Sequence, residues 1–570
     1  MKLETFFKHF DLLTEAPNGV QKLRELILDL AVRGKLVPQD ANDEPAAVLL
    51  ERIKKEKERL VKEGKIRKEK LLPIPETNEI MFNLPNIWQW ERLGNALIKV
   101  TDGTHNSPPN KEKGEYKYIT AKNIKQGKID LTNITYINSE IHKEIYSRCN
   151  PELGDLLYIK DGATTGIVAI NNLLEPFSML SSVALLKLPS NIDNRYLFYV
   201  LSSPYFYSLM RNDMSGVAIT RVTLAKLNKA LIPIAPLNEQ KRIVTKVDEL
   251  MKLCDELEAR QKKKRETRIL INNAALNKLL TAETPETFTK NWQRIGDNFD
   301  ILYSAPENIG KLRQAILQLA VMGKLVPQNA NDEPAAVLLE RIKKEKERLV
   351  KEGKIKKEKS LPAIKDDEIP YDLPIGWECC YISELAIKVT DGEHITPTRT
   401  PSGHYLLSAR NIKEEGIILD NVDYVPESEF YRIRKRCNPD KDDILISCSG
   451  SVGRIAIVDK DDTYVMVRSV ALLKLFKDNI NSKYLAYILK SLMVQNQIIE
   501  KSKTSAQANL FLGKIKEIKV VLAPLNEQKR IVTKVDKLMK LCDELETKLT
   551  QTQTEREKII NAAVKQLLTV

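Results

Sequence analysis

At 570 residues the chain is long enough for several domains and for more than one hydrophobic core. Seven cysteines without a C-x-x-C pair, an opening MKLETFFKHFDLLTE too charged for a secretory leader, and no apolar run near the roughly 20 residues of a membrane helix exclude a disulfide-stapled secreted protein and a helical membrane protein; they predict a cytoplasmic one. The net charge of +13 points towards nucleic acid, because clustered Lys and Arg gain affinity by releasing counterions from phosphates.

Residues 1–83 read as a helical region whose core returns later in the chain. GKLVPQDANDEPAAVLLERIKKEKERLVKEGKIRKEK at 34–70 recurs at 323–359 with two changes, Asp40 to Asn329 and Arg67 to Lys356. The match begins earlier, where Phe10, Pro17 and Gly34 pair with Phe299, Pro306 and Gly323. Asp43 is placed to cap a helix that Glu44 and Pro45 open, Leu, Val, Ala, Glu, Lys and Arg fill, and Gly64 stops. Segments 51–70 and 340–359 each hold ten basic and five acidic residues, so together they carry +10 of the +13. A mixed-sign run of this kind suits a solvated helix face with i,i+4 pairing as well as it suits phosphate contact.

Residues 84–234 and 373–522 are predicted to be two mixed α/β domains of one fold. Apolar runs such as DLLYIK, GIVAI and SVALLKL alternate with Gly, Asn and Pro turns and with helical stretches such as RYLFYVLSSPYFYSLM. The two align loosely: LPNIWQW with LPIGWEC, VTDGTH with VTDGEH, ITAKNIK with LSARNIK, SRCNP with KRCNP, and SVALLKL with itself. That pattern predicts a shared frame with altered surfaces.

Residues 235–372 and 523–570 read as a central helical spacer, which holds the second repeat copy, and a C-terminal helix. APLNEQKRIVTKVDELMKLCDELE at 235–258 is answered at 523–546 with the single change Glu249 to Lys537. Ile243, Val247, Leu250, Cys254 and Leu257 fall at spacings of 4, 3, 4 and 3, as do Ile531, Val535, Leu538, Cys542 and Leu545, a heptad seam that requires a partner helix. The second seam continues through Leu549 and Ile559 to Ala563. The first is interrupted by Gln261, Lys264 and Arg268 before Ile271 and Ala275 resume it. About 45 helical residues span roughly 65–70 Å, enough to separate two domains by a fixed distance.

This combination resembles the specificity subunits of type I restriction-modification systems. The resemblance covers essentially all 570 residues and rests on the two LP-x-x-W entries, the two TDG-x-H segments, the two PLNEQKRIV exits and the repeated helical passage. It implies an α+β chain with two target-recognition domains in tandem, each reading one half of a split double-stranded DNA target. The intervening helices are expected to pair as an antiparallel coiled coil, set the gap and dock two methyltransferase subunits. Restriction-translocase subunits would join in the full complex. No cofactor is expected on this chain itself; its partners are expected to use S-adenosylmethionine, ATP and Mg. Two related readers on a rigid spacer fit the half-site geometry of dimeric DNA binders. A DNA-free tandem scaffold is the alternative, and a self-contained methyltransferase or nuclease a further one.

Catalytic motifs find little support. Ser107-Pro108-Pro109-Asn110 lacks the aromatic residue that an adenine methyltransferase stacks on a flipped base, and the second copy reads ITPT. Pro439-Asp440 with Glu517 and Lys519 is a dispersed nuclease-like set that the first half replaces by Pro151-Glu152, and no G-x-x-x-x-G-K-[ST] is present. Asp102 with His105, and Asp391 with His394, read as Asp-Gly turns rather than metal sites. Cys149 and Cys437 recur at matching positions and read as structural. For DNA contact the candidates are Thr101, Thr104, Lys122, Asn123 and Lys160 in the first domain, and Thr390, Arg410, Asn411, Ser449 and Ser451 in the second, with glycine loops at 162–166 and 450–453 able to approach phosphate. Positions shared by two readers of different sequences cannot supply the difference. Base readers are therefore expected in the divergent stretches, 104–117 against 393–405 and 209–222 against 497–510.

Overall fold

Inner strands such as Leu156–Ile159 are continuously apolar because both of their faces are covered. In the first middle domain an antiparallel sheet has the order Lys99–Asp102, Val183–Lys187, Leu156–Ile159, Val168–Ile170. Leu156, Tyr158, Val168, Ala184 and Leu186 face one core, while Leu157, Ile159, Ala169, Val183 and Leu185 face another, as the two-residue period of a strand requires. The second core is shared with the sheet Thr135–Ile137, Tyr116–Ile119, Ser178–Met179 and with the hairpin Ile124–Lys125/Lys128–Ile129. The first is shared with the helices Asn194–Ser202 and Pro204–Arg211, which carry the stretch predicted as helical.

The computed structural model describes residues 16, 18–68, 70–211, 221–369, 371–502 and 508–569. It forms two units, 1–263 with 552–570, and 264–551. Within each, the core of the middle domain continues into the repeat helices. Val20, Ile27, Leu49 and Ile53 share one buried cluster with Trp88, Tyr196, Ile232, Ile243, Val247 and Cys254. Unit 2 repeats the scheme with Ile309, Ile316, Leu338, Ile342, Trp377, Tyr484, Val520, Ile531, Val535 and Cys542. One buried cluster therefore runs across 83/84 and 234/235, and the first middle domain shares its core with its helices.

What joins them is a polar lock that explains the repeated motifs. At the first turn of the long helix Leu237–Leu280 the buried Glu239 accepts hydrogen bonds from Trp88 Nε1 at 2.8 Å and Gln39 Nε2 at 2.6 Å. Its neighbour Gln240 accepts from Asp193 N at 2.9 Å and donates to Ala235 O at 2.8 Å. Arg242 holds Asp43 at 2.6 Å. Unit 2 has the same set: Glu527 with Trp377 at 3.0 Å and Gln328 at 2.7 Å, Gln528 with Asn481 N and Ala523 O, and Arg530 with Asp332 at 2.6 Å. Asp43 is therefore not the helix cap expected from sequence. The helix Ala46–Lys62 starts at Pro45 without a side-chain cap, Ala46 N bonding Ile87 O, because the carboxylate is taken by Arg242. Gly64, at φ +71°, ends that helix as expected.

The heptad seam meets the repeat's own helix. Arg24 on the helix Gly19–Val32 bridges Asp255 at 2.6 Å and Glu258 at 2.8 Å, while Gln39 and Asp43 further along reach Glu239 and Arg242, so the two segments run antiparallel. Arg313 does the same with Asp543 and Glu546. Ile243, Val247 and Cys254, like Ile531, Val535 and Cys542, are buried; Leu250, Leu257, Leu538 and Leu545 pack at the margin. Further along, the expected positions 271 and 559 slip by one residue, while Ala563 is buried as expected. Ile271 is 54% and Ile559 58% exposed, whereas Asn272 and Ile560 point inward. Eight seam steps of 3.5 residues give 28, from Ile243 to Ile271, but a straight helix needs about 28.8, which lands on the next residue. Ile560 and Ala563 pack on Leu26, and Leu276 and Leu279 on Ile295, Tyr303 and Leu319. Neither polar atom of the buried Asn272 meets a protein partner.

A ring pair is kept in both middles with its members exchanged. His142 stacks on Tyr116 at 3.8 Å in unit 1, and His404 on Phe430 at 4.0 Å in unit 2. Burial pulls the His142 imidazole below its ordinary value of 6.5, so as pH falls the unfolded chain takes up a proton before the folded one does. The stability of unit 1 is therefore expected to decline as pH drops below about 6.5. His142→Phe, the ring unit 2 carries at this place, should flatten that decline, which urea midpoints of both proteins at about pH 7.5 and about pH 5.5 would show.

Candidate nucleic-acid interface

The shared TDG-x-H segments form a turn pinned to a buried strand. Asp102 ends its strand, and a side chain at Gly103 would meet Met179 O at 1.8 Å, so only glycine lets the chain pass. Thr104 N then donates to Met179 O at 2.9 Å and Ser181 N to Thr104 O at 2.8 Å. In unit 2 a side chain at Gly392 would meet Met466 O at 2.1 Å, and Glu393 N bonds Met466 O at 2.8 Å and Arg468 N bonds Glu393 O at 3.0 Å. From these turns the loops 105–115 and 394–403 emerge largely exposed, with different residues on one anchorage.

Charge gathers around each turn. Buried Asp102 holds Arg148 at 2.6 Å, lies 3.5 Å from His105 Nε2 and 3.4 Å from Lys160 Nζ, and Lys160 in turn meets Asp161 at 3.2 Å, itself 3.4 Å from Arg221. Asp391 holds His394 and Arg436, each at 2.8 Å, and Glu393 holds Arg432 at 2.9 Å. Backbone donation from Ile395 and the Arg432 guanidinium keep the Glu393 carboxyl below its usual range. Arg148, Arg436 and Arg432 remain about half exposed, so they present positive charge outward while neutralising the acids beneath. Such groups suit phosphate contact.

Several sequence candidates do other work. Asn123 is buried, its Oδ1 accepting from Thr120 N and Oγ1 and its Nδ2 donating to Asp130 O; Asn411 repeats this with Ser408 and Ile418. Their amides are spent on holding a loop, which removes them from base contact. Thr101 and Thr390 are buried on strands opposite Leu185 and Leu472. Lys160 is 2% exposed and reaches outward only through its ion pairs, and Cys448 takes its place in unit 2. Thr104 bonds Asn106 O, Arg410 pairs with Asp423 at 2.8 Å, Ser449 bridges Asn509, and Ser451 O accepts from Ser447. Lys122, Arg410 and Ser451 are exposed. Of the divergent stretches, 212–220 and 503–507 lie outside the described residues. Arg148 and Arg436 were not among the sequence candidates, although the paired SRCNP and KRCNP held the signal.

The catalytic alternatives lose their geometry. Asp440 pairs with Arg434 and Lys474, Glu517 with Lys514, and Lys519 with Glu368, so the nuclease-like set is dispersed among separate ion pairs. Asn110 turns back on Pro108 O. Among the described residues no group of three or more His, Cys, Asp or Glu is placed to hold a metal, and no helix is long and apolar enough to cross a membrane.

Comparison with known proteins agrees with this anatomy. Residues 90–266 and 414–553 match the family described as type I restriction modification DNA specificity domain. The specificity subunit of type I restriction enzyme EcoAI from Escherichia coli is 34% identical, with 92% of this chain and 90% of that one covered; the EcoEI subunit, also from E. coli, is 32% identical with 95% and 93% covered. The solved HsdS subunit of Thermoanaerobacter tengcongensis aligns at 17% identity over 86% of this chain and 98% of that one, with a TM-score of 0.41. Matched by the family over more than half its length and by relatives a third identical over nine-tenths of it, the chain belongs to the specificity subunits of type I restriction enzymes, their non-catalytic DNA-recognition component.

Proposed function

We propose that each middle domain reads one half of a bipartite double-stranded DNA target, that the long helices set the gap between the halves, and that the repeated helical regions dock two methyltransferase subunits. Restriction-translocase subunits would complete the assembly in the cytoplasm, and S-adenosylmethionine, ATP and Mg would be used by those partners rather than by this chain. The observation that carries this reading is the pairing of one frame with two surfaces. The pinned turn and the buried asparagine staple recur in both middles, while the loops they hold apart from the core differ. Identical frames with different exposed chemistry are what two readers of unlike sequences need.

Co-expression of the full chain with its methyltransferase subunit is expected to add adenine methylation at one split motif, and neither chain alone should do so. Sequencing the methylated genome reads the result. No new split motif in the co-expressing cells would overturn the assignment.

A further inference from the structure

We propose that Arg468 reads a guanine in the half-site of the second domain, at the place where the first domain carries Ser181; this rests on the two-reader assignment above. The two residues occupy one frame. Ser181 N bonds Thr104 O at 2.8 Å and Arg468 N bonds Glu393 O at 3.0 Å, and the next residue, Ser182 or Ser469, takes a hydrogen bond from Ala121 N or Ala409 N. One residue further, Val183 and Val470 enter the central strand. The backbone of Arg468 is thus clamped on both sides between the pinned turn and the sheet.

Other arginines of the same domain are already engaged. Arg436 is on Asp391, Arg432 on Glu393 and Glu429, and Arg399 and Arg410 both on Asp423. Arg468 is exposed and enters no ion pair or side-chain hydrogen bond with another described residue. Glu393, bonded to it through the backbone, does not capture it, because that carboxylate already accepts from His394 N, Ile395 N and Arg432. What remains is a guanidinium with its whole fork of donors available, carried on a rigid base beside the exposed loop 394–403. That geometry matches the paired acceptors O6 and N7 of guanine in the major groove. A serine hydroxyl on the same base offers one donor and cannot make the pair.

The test uses the full chain with its methyltransferase subunit. Wild type is expected to methylate one split motif. Arg468→Ser should relax a single G·C position in one half of it, leaving the other half and the gap unchanged. In binding assays the variant should lose about 10- to 100-fold on the wild-type duplex and nothing on a duplex substituted at that base pair. Arg468→Lys should not restore discrimination, since an ammonium lacks the fork. An unchanged motif, with affinity lowered alike on every sequence and a shallower salt dependence, would show a phosphate contact and overturn the proposal. A wild-type complex with no split motif would instead overturn the two-reader assignment, and this proposal with it.

Discussion

Trp88→Ala is expected to lower the stability of the full chain by about 3–5 kcal/mol, the range for removing a buried aromatic side chain. The indole is buried between Gly34, Tyr196 and the first turn of the long helix, where its Nε1 is one of two donors to the buried Glu239. Burial already pushes the Glu239 carboxyl up, and the Trp88 and Gln39 donors pull it back. Without the indole the group becomes still easier to protonate. A carboxyl raised in the folded state releases its proton first from the unfolded chain, so its contribution weakens as pH rises above about 4.5. The loss of stability in the variant should therefore grow as pH rises above about 4.5. Trp88→Phe, which keeps a ring but removes the donor, should cost about 1–3 kcal/mol. Urea unfolding followed by circular dichroism measures all three proteins, and a Trp88→Ala loss under about 1 kcal/mol would show that the lock is not what joins reader to helix.

Gly103→Ala should abolish recognition of the first half-site, lowering specific binding by at least about 100-fold while non-specific binding persists. The added Cβ would sit 1.8 Å from Met179 O, 2.2 Å from Met179 C and 2.8 Å from Leu180 C. These are backbone atoms of a buried strand, with no flexible side chain to give way. The turn must lift, which breaks the Thr104–Met179 and Ser181–Thr104 hydrogen bonds and moves the exposed loop together with the Asp102, His105 and Arg148 cluster. Gly392→Ala should do the same to the second half-site. Gly64→Ala is the control: nothing lies within 4 Å of its added Cβ, so the penalty is only the positive φ, about 1 kcal/mol, and recognition should survive. Competition binding against a scrambled duplex separates these outcomes. A Gly103→Ala protein that discriminates like wild type would remove the pinned turn from the recognition surface.

Much of the fold was legible because period and composition agree with burial. LLYI and VALL are continuously apolar, and both faces of those strands are covered; the 4-3 spacing from Ile243 to Leu257 marks the buried side of a helix. Sequence failed where a tertiary partner outranked a local rule. Asp43 has the type and place of a cap but serves Arg242, 199 residues away in sequence. A seam of 3.5 residues per turn loses register because a straight helix drifts one position by Ile271. At the interface the shared motifs were found, but shared residues such as Asn123 and Asn411 proved to be the frame. On the proposed reading the groups that read DNA sit where the halves disagree, and a residue such as Arg468 gains meaning only once its neighbours' partners are known.

The twin locks also pose a problem of order during folding. Gln39 must wait for Glu239, 200 residues downstream. Gln328, carried by an almost identical passage, lies only 89 residues from the same glutamate. The shorter closure is entropically easier by about 0.7 kcal/mol, so nothing in chain statistics favours the native partner. Synthesis does: the first passage is complete and beside its own reader before the second leaves the ribosome. A full-length chain refolded from denaturant lacks that head start, and mispaired halves are the trap it must escape.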